Sequence, residues 1–185
     1  MPDATRFTTA GTWHFRALGL EDAPAFLDLI TAGYAATRAL GVHFAAASAD
    51  LHSVREHLEA NAAYVLEVDG RAASTVSIRY PWGNNPGPYG LPHLGWFATH
   101  PAYARQGLGT RLLNWLEQEI LIGQLHTPAV SLGTAREHPW LVETYQRLGF
   151  FETGEANLGK GHLTVYMQKI LSPQRYPLWK KRNAL

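Results

Sequence analysis

Two glycines between an extended segment and an amphipathic segment form the part of the sequence best suited to bind an anion. They are Gly107 and Gly109 in the run Arg105-Gln106-Gly107-Leu108-Gly109-Thr110. The first N–H groups of a helix have no acceptor within it, and the helix dipole adds partial positive charge there. Small residues let a phosphate approach such amides closely. The spacing is neither Gly-x-Gly-x-x-Gly nor a Walker loop, so by itself the segment indicates either a phosphate site or a plain turn.

The elements that must position these glycines follow from hydrophobic periodicity. A strand is predicted before them, over residues 92–99, and a helix after them, ending near Ile122 with Leu108, Leu112 and Leu116 on one face. A buried strand over residues 129–133 follows. The next helix is predicted over residues 139–148, because proline stands at its start and Gly149 just past its end.

The rest of the chain supplies the other strands and helices of one domain. Asp69-Gly70 lies between two β-type runs and predicts a hairpin, and the proline- and glycine-rich residues 81–90 predict a long loop. A helix over residues 50–60 has Asp50 or Ser48 as its N-cap. Further strands are expected at residues 15–18, 150–153 and 163–169, and a helix beginning near residue 21. This order predicts an α/β domain with a mixed sheet.

Composition excludes several classes of protein. The 185 residues contain no cysteine, which rules out thiol catalysis, disulfides and cysteine-ligated metals. The net charge of +1 does not favour nucleic acid as a partner. No apolar run approaches the ~18 residues of a membrane span, so a soluble cytoplasmic protein is expected. The histidines show no metal-ligand spacing, and no metal is expected.

Residues 100–113, which contain the two glycines, resemble motif A of the GCN5-related N-acetyltransferase superfamily. A second segment, Thr144-Tyr145-Gln146-Arg147-Leu148-Gly149-Phe150, is similar to that family's Leu-Tyr-Glu-Lys-Leu-Gly-Phe. Residues 16–23 and 165–169 resemble its first and last elements. The family's Arg/Gln position corresponds to Ala104, so main-chain amides are left to hold the pyrophosphate.

The resemblance implies a fold and an activity. The fold is a mixed, mostly antiparallel sheet with splayed central parallel strands, over residues 13–171, with an N-terminal extension (1–12) and a C-terminal tail (172–185). The activity is transfer of an acetyl group from acetyl-CoA to a primary amine of a small molecule or peptide by direct attack. Alternatives are a longer acyl group, or a CoA-binding module without catalysis. Homodimers are common in the family, and the tail could pack on a partner or on its own chain.

The resemblance also implies residues that hold acetyl-CoA. Backbone groups of the strand end pair with the pantetheine arm and polarise the thioester carbonyl, and amides of the glycine segment hold the pyrophosphate. His138 stands where many members of the family have asparagine, and it is expected either to contact the pantetheine or to cap the helix that follows it. In this sequence these residues are Phe97, Ala98, Thr99, Arg105, Gln106, Gly107, Leu108, Gly109, Thr110 and His138.

Two side chains are candidates for proton transfer. Tyr145 matches the family tyrosine whose hydroxyl lies near the sulfur, and it is predicted to protonate the departing thiolate; a purely structural role in the core is the alternative. His93 stands where many members have a glutamate base, and a histidine can accept a proton near neutral pH. The alternatives to a base at His93 are a surface or hydrogen-bonded histidine beside Pro92, a water relay, or an amine that arrives neutral.

Aromatic residues of the long loop, the central strand and the first two helices are predicted to form the acceptor pocket, since these regions do so in the family. Such walls suit an aromatic or cationic amine, although ordinary packing is an equally good interpretation. The predicted residues are Tyr34, His43, Phe44, Trp82, Tyr89 and Trp96.

Overall fold

A seven-stranded sheet in the order β1-β2-β3-β4-β5-β7-β6 forms the centre of the molecule. The computed structural model describes residues 11–183 except residues 43 and 139. Every pair of neighbouring strands is antiparallel except β4 and β5. The strands are β1 (Trp13–Ala17), β2 (Ala62–Val68), β3 (Arg71–Arg79), β4 (His93–Thr99), β5 (Ala129–Ala135), β6 (Phe151–Asn157) and β7 (Leu163–Ile170).

The parallel strands β4 and β5 pair over only a short part of their length. Only His93 with Ser131 and Leu94 with Leu132 are in register, and both lie at the amino end of β4. Beyond Leu94 the two strands diverge, which opens the sheet along the rest of β4. The mixed, mostly antiparallel sheet with splayed central parallel strands is therefore confirmed.

Short sequence motifs predicted several ends of helices and strands correctly. Asp69 and Gly70 have φ of 50° and 73° at the β2–β3 turn, the left-handed pair that a two-residue hairpin needs. Asp50 caps the second predicted helix, since its carboxylate accepts a 2.8 Å hydrogen bond from Ser53 N–H. Arg16 forms a bidentate pair with Asp22 and also binds Glu67, which ties β1 to the start of the first helix.

The helices differ from prediction at a few places. The helix predicted over residues 139–148 is shorter, and the one after the glycines ends in a π-helical stretch, Leu116–Ile122. Two short helices, α2 and α6, were not predicted. The helices are α1 (Ala23–Gly33), α2 (Ala35–Ala39), α3 (Leu51–Ala60), α4 (Leu108–Trp115), α5 (Leu141–Arg147) and α6 (Tyr176–Arg182).

Helices cover both faces of the sheet and bury the core. On one face α4 contributes Leu108, Leu112 and Leu113, none more than 1% exposed; on the other, α1 and α3 contribute Phe26 and Val54. Burying such side chains stabilises the fold by about 1.5–3 kcal/mol each. The core thereby holds α1, α3 and α4 against the splayed region of β4.

The C-terminal tail packs on its own chain. The Tyr176 hydroxyl donates to Oε1 of Gln168 at 3.1 Å, and the Arg175 guanidinium donates to the carbonyl of His126 at 3.0 Å. The sequence left open whether the tail packs on a partner or on its own chain, and these contacts are within the chain. Across the described ranges, no helix is long and apolar enough to cross a membrane.

Candidate functional site

A cavity of about 780 Å³ opens where β4 and β5 diverge. Its walls come from β4 and β5, from α1 and α3 on one side, and from α5 on the other. We call this space the main cavity. It is large enough for a drug-sized ligand, and its position follows directly from the short pairing of the two strands.

The glycine segment lies beside the carboxyl end of β4. Gly107 has φ of 73° and is the N-cap of α4, a conformation that suits glycine. A Cβ at Gly109 would stand 3.0 Å from Thr99 Oγ1, so a side chain there would crowd the strand. The first turn of α4 begins with Arg111 N–H bonded to the Gly107 carbonyl. The three preceding amides, at residues 108–110, have no acceptor within the helix, and they fit a phosphate.

An irregularity in β4 turns its side chains into the main cavity. The β3–β4 register shifts opposite Trp96, and Trp96 has φ of 47°. Its ring stacks on His57 at a centroid distance of 3.8 Å and lines the cavity. The next carbonyl, of Phe97, accepts a 3.2 Å hydrogen bond from the Tyr34 hydroxyl. One of the main-chain groups predicted to meet the pantetheine arm therefore already has a donor.

Tyr145 lines the same cavity from α5. Its ring packs against Phe97 and Phe150 at centroid distances of 6.5 and 5.9 Å. Burial raises the pKa of Tyr145 to about 12, so its hydroxyl carries a proton at neutral pH. In contrast to Tyr34, its hydroxyl makes no hydrogen bond within the part of the chain that the structure describes, and it is available to a ligand.

His93 is held in one orientation at the junction of β4 and β5. Its Nδ1 lies 2.9 Å from Ser131 Oγ, and the Ser131 hydroxyl donates to the Pro92 carbonyl at 3.3 Å. Ser131 therefore accepts the Nδ1 proton, and this tautomer leaves Nε2 with a free lone pair. Gly87 of the long loop packs on the ring, since a Cβ there would lie 2.3 Å from the His93 Cβ. Burial, and then the charge of Arg79, lower the pKa of His93 to about 3.

Several buried polar atoms of the main cavity have no hydrogen-bond partner among the residues that the structure describes. They are Nδ1 of His138, Oγ1 of Thr134 and Nε2 of His57. An unsatisfied buried polar group costs about 1–3 kcal/mol, and each of these is satisfied when a bound molecule or water supplies a partner. The cavity thus has the polar contacts expected of a binding site.

Arg79 is a cation of the main cavity wall whose charge acts on both His93 and His57. It ends β3 and is half-buried. Its charge lowers the pKa of both histidines, after the larger effect of burial. Its guanidinium donates to Asn85 Oδ1 at 3.4 Å, and no ion pair among residues 11–183, gaps excepted, includes it. The geometry leaves a guanidinium free for an anionic ligand.

Many of the residues predicted from the sequence meet in this cavity. Tyr145 and His93 line it, together with predicted cofactor residues of β4 and of the turn before α5 and with part of the predicted acceptor wall: Phe97, Ala98, Thr99, His138, Tyr34, Phe44 and Trp96. Residues 105–110 do not line it but lie directly beyond Thr99.

Three predicted acceptor residues are placed differently. Trp82 is 70% exposed and stacks on Tyr80 outside the cavity. Tyr89 packs against Tyr166 and is absent from the wall. His43 lies outside the described residues.

Arg79 and Thr134 also line the main cavity, and Ser131 holds His93 there, but none of the three was predicted from the sequence. For Arg79 the sequence offers one signal of a binding role, since the arginine ends a strand of small residues directly before a proline-rich loop. Within the described ranges, no group of three or more His, Cys, Asp or Glu residues could hold a metal ion.

Comparison with known proteins supports an acyl-transfer site. The acetyltransferase (GNAT) family model matches residues 32–150. The S-(2-succino)cysteine N-acetyltransferase of Bacillus subtilis (strain 168) is 53% identical over 150 residues, covering 81% of this chain and 91% of the relative. The S-alkylcysteine N-acetyltransferase of the same strain is 39% identical over 163 residues, covering 88% and 91%.

Solved structures share the fold at lower identity. The ribosomal-protein-S18-alanine N-acetyltransferase of Escherichia coli superposes with a TM-score of 0.64 at 18% identity, covering 87% of this chain and 95% of that one. A Salmonella typhimurium protein solved with its cofactor acetyl-CoA gives 0.63 at 19% identity, with the same coverage.

Proposed function

The chain belongs to the acetyltransferase (GNAT) family and is an acyl-CoA-dependent acetyltransferase, and we propose that its acceptor is the α-amine of an S-substituted cysteine. The two curated relatives act, by name, on S-(2-succino)cysteine and S-alkylcysteine. Both acceptors combine a primary amine with an adjacent carboxylate. None of the comparisons favours the alternative of a CoA-binding module without catalysis.

The observation that carries this proposal is the position of Arg79 in the wall that also presents Tyr145 and His93. Arginine is always charged at neutral pH and binds carboxylates through parallel N–H groups. A polyamine acceptor would meet an uncompensated positive charge there, which disfavours it. An amino acid brings both the amine that reacts and a carboxylate that Arg79 can hold.

The proposed reaction is direct attack of the amine on the thioester that acetyl-CoA supplies. A bond forms between the amine nitrogen and the carbonyl carbon, the carbon–sulfur bond breaks, the amine loses a proton and the sulfur gains one. The amides of residues 108–110 and Nδ1 of His138 are suited to hold the donor. Tyr145 stays protonated and donates to the departing sulfur.

His93 is proposed to accept the amine proton at Nε2. Its imidazole is neutral at pH 7, because burial and the charge of Arg79 lower its pKa. A carboxylate bound to Arg79 cancels the second of these causes and makes the imidazole a better base. Acceptor binding and base strength are thereby linked through Arg79.

A turnover assay tests the proposed function. The purified enzyme and acetyl-CoA are incubated with S-(2-succino)cysteine, S-propylcysteine, cysteine, spermidine or a peptide with an N-terminal alanine, and CoA release and the acetylated product are measured. We expect the highest kcat/KM for the S-substituted cysteines. Preferred acetylation of spermidine or of the peptide would overturn the proposal.

Cytoplasmic location and homodimerisation stay predictions. The exposed side chain of Leu178 on α6, 65% accessible, is available to a second copy. Sedimentation of the purified protein at micromolar concentration measures the oligomeric state.

A further inference from the structure

A second cavity of about 330 Å³ adjoins the main cavity and shares Arg79 and His93 with it. We call it the side chamber. Its own walls are the long loop at Pro86 and Pro88 and the β6–β7 region. Because the two spaces have common wall residues, a ligand in the main cavity can extend a substituent into the side chamber.

The side chamber contains buried polar atoms that lack partners. Nδ1 of His162 and Oγ1 of Thr134 are inaccessible to solvent and make no hydrogen bond within the described part of the chain. Both residues line the chamber and are at most 6% exposed. The aromatic ring of Phe44 packs edge-on against His162 at 5.3 Å, which fixes the imidazole. Such atoms favour a polar ligand, since a buried polar group without a hydrogen bond lowers the stability of the protein.

The charge around the side chamber is positive. Arg79 lines it, and Lys160 stands exposed at its rim. None of the described residues that line the side chamber is acidic. Among the described residues of the main cavity wall one is acidic, Glu56, which is 66% exposed and pairs with His52. Two cations without an acidic partner among the described residues favour a ligand that carries carboxylates.

We propose that the side chamber binds the S-substituent of the acceptor and that Arg79 selects substituents bearing carboxylates over alkyl groups. This inference rests on the proposed function, since it takes the acceptor to be an S-substituted cysteine. Arg79 is the main contact, because its half-buried guanidinium offers two parallel donors. Lys160 adds a weaker attraction at the rim, where solvent screens its charge.

The chemistry distinguishes the two classes of acceptor. A 2-succino group adds two carboxylates to the cysteine sulfur, whereas an alkyl group adds none. An alkyl group in this chamber would give Thr134 and His162 no hydrogen-bond partner and would leave the charge of Arg79 without a counter-ion. A site built to bind polar groups rejects analogues that lack them.

The test compares kcat/KM for S-(2-succino)cysteine with kcat/KM for S-propylcysteine, which has the same α-amine and α-carboxylate. For Arg79→Gln we expect the ratio of the two values to fall about 10- to 100-fold, as a lost charged hydrogen bond predicts. For Lys160→Gln we expect a fall of about 2- to 5-fold. Arg71→Gln, at the opposite end of the same strand, is the matched control and should keep the wild-type ratio.

The outcomes separate the inference from the proposed function. An equal loss for both acceptors in Arg79→Gln would assign Arg79 to the shared α-carboxylate and overturn the inference alone. A wild-type enzyme that acetylates neither cysteine conjugate would overturn the proposed function, and the inference with it. If Arg79→Gln does not fold, as judged by circular dichroism, Arg79→Lys and Lys160→Gln provide the same ratio, and an unchanged ratio in both overturns the inference.

Discussion

The hydroxyl of Tyr34 donates a 3.2 Å hydrogen bond to the carbonyl oxygen of Phe97 on β4. Tyr34 and Tyr145 both line the main cavity, and burial raises the pKa of both hydroxyls. Only the Tyr34 proton is already engaged, by a carbonyl of its own chain. This difference decides which of the two tyrosines is the better proton donor to a ligand.

Replacement of Tyr145 by Phe is expected to lower kcat by about 10²-fold, the lower end of what one general acid contributes. Acetyl-CoA affinity should change little, because the ring and its packing on Phe97 remain. Tyr34→Phe is the matched control and should retain most of kcat. Steady-state kinetics and calorimetric titration with acetyl-CoA measure the two quantities. Equal kcat in wild type and Tyr145→Phe would rule out the acid role.

Replacement of Gly107 by Ala is expected to raise the KM for acetyl-CoA. A Cβ there meets nothing within 4 Å, so the effect comes from strain at φ of 73°, about 1 kcal/mol, which shifts the amides of the segment. Gly70→Ala is the control, since Gly70 has the same φ and equally open space but lies in the β2–β3 hairpin. Both variants should lose similar stability, measured by urea unfolding. Only Gly107→Ala should bind acetyl-CoA more weakly, and identical KM values in both variants would contradict a phosphate site at residues 105–110.

Acid should destabilise the fold through His57 and His93. Burial, then the charge of Arg79, lower their pKa values to about 4 and about 3, whereas the unfolded chain titrates near 6.5. Below pH 6.5 the unfolded state takes up protons that the native state does not. The free energy of unfolding should therefore fall by about 1.4 kcal/mol per histidine for each pH unit below 6.5, until the native pKa is reached, and be unaffected by these groups above pH 6.5.

Urea unfolding at pH 7.5, 6.5, 5.5 and 4.5 measures this slope. His57→Gln should remove about half of it. His52→Gln, on the same helix but 81% exposed, should leave it unchanged. A slope that survives in the double variant of His57 and His93 would show that other groups cause the acid sensitivity.

The buried pair of Glu117 and Lys169 should be sensitive to the loss of one partner. Nζ of Lys169 lies 2.7 and 2.8 Å from the two carboxylate oxygens, and Glu117 is only 5% exposed. Burial raises the pKa of Glu117, and Lys169 opposes this effect. Lys169→Met should cost about 3–5 kcal/mol, because it leaves a buried carboxyl group unpaired.

The double variant Lys169→Met with Glu117→Leu should recover most of that stability, since an apolar pair of similar volume removes the unpaired group. Chemical denaturation of the single and double variants measures the difference. A double variant as unstable as the single one would contradict this account.

The amino-acid sequence determined those features that depend on neighbours along the chain. Asp69-Gly70 specifies its hairpin because only certain residues adopt two successive positive φ angles. Gly107 and Gly109 fall at a strand-to-helix turn for the same kind of local reason. Together with the resemblance around Tyr145 they were enough to predict the fold and the acyl donor.

Only the tertiary structure decided which side chains meet in the cavity. Ser131 contacts His93 across 38 residues of sequence, and Arg79 approaches His93 because β3 and β4 pair at that register. Neither contact leaves a local pattern, since strand alternation specifies a face and not a partner. The splay of β4 from β5 likewise depends on where their pairing stops. The sequence therefore predicted the acyl donor and a phosphate site at residues 105–110, and the packing of distant strands supplied the cationic wall from which the acceptor is inferred.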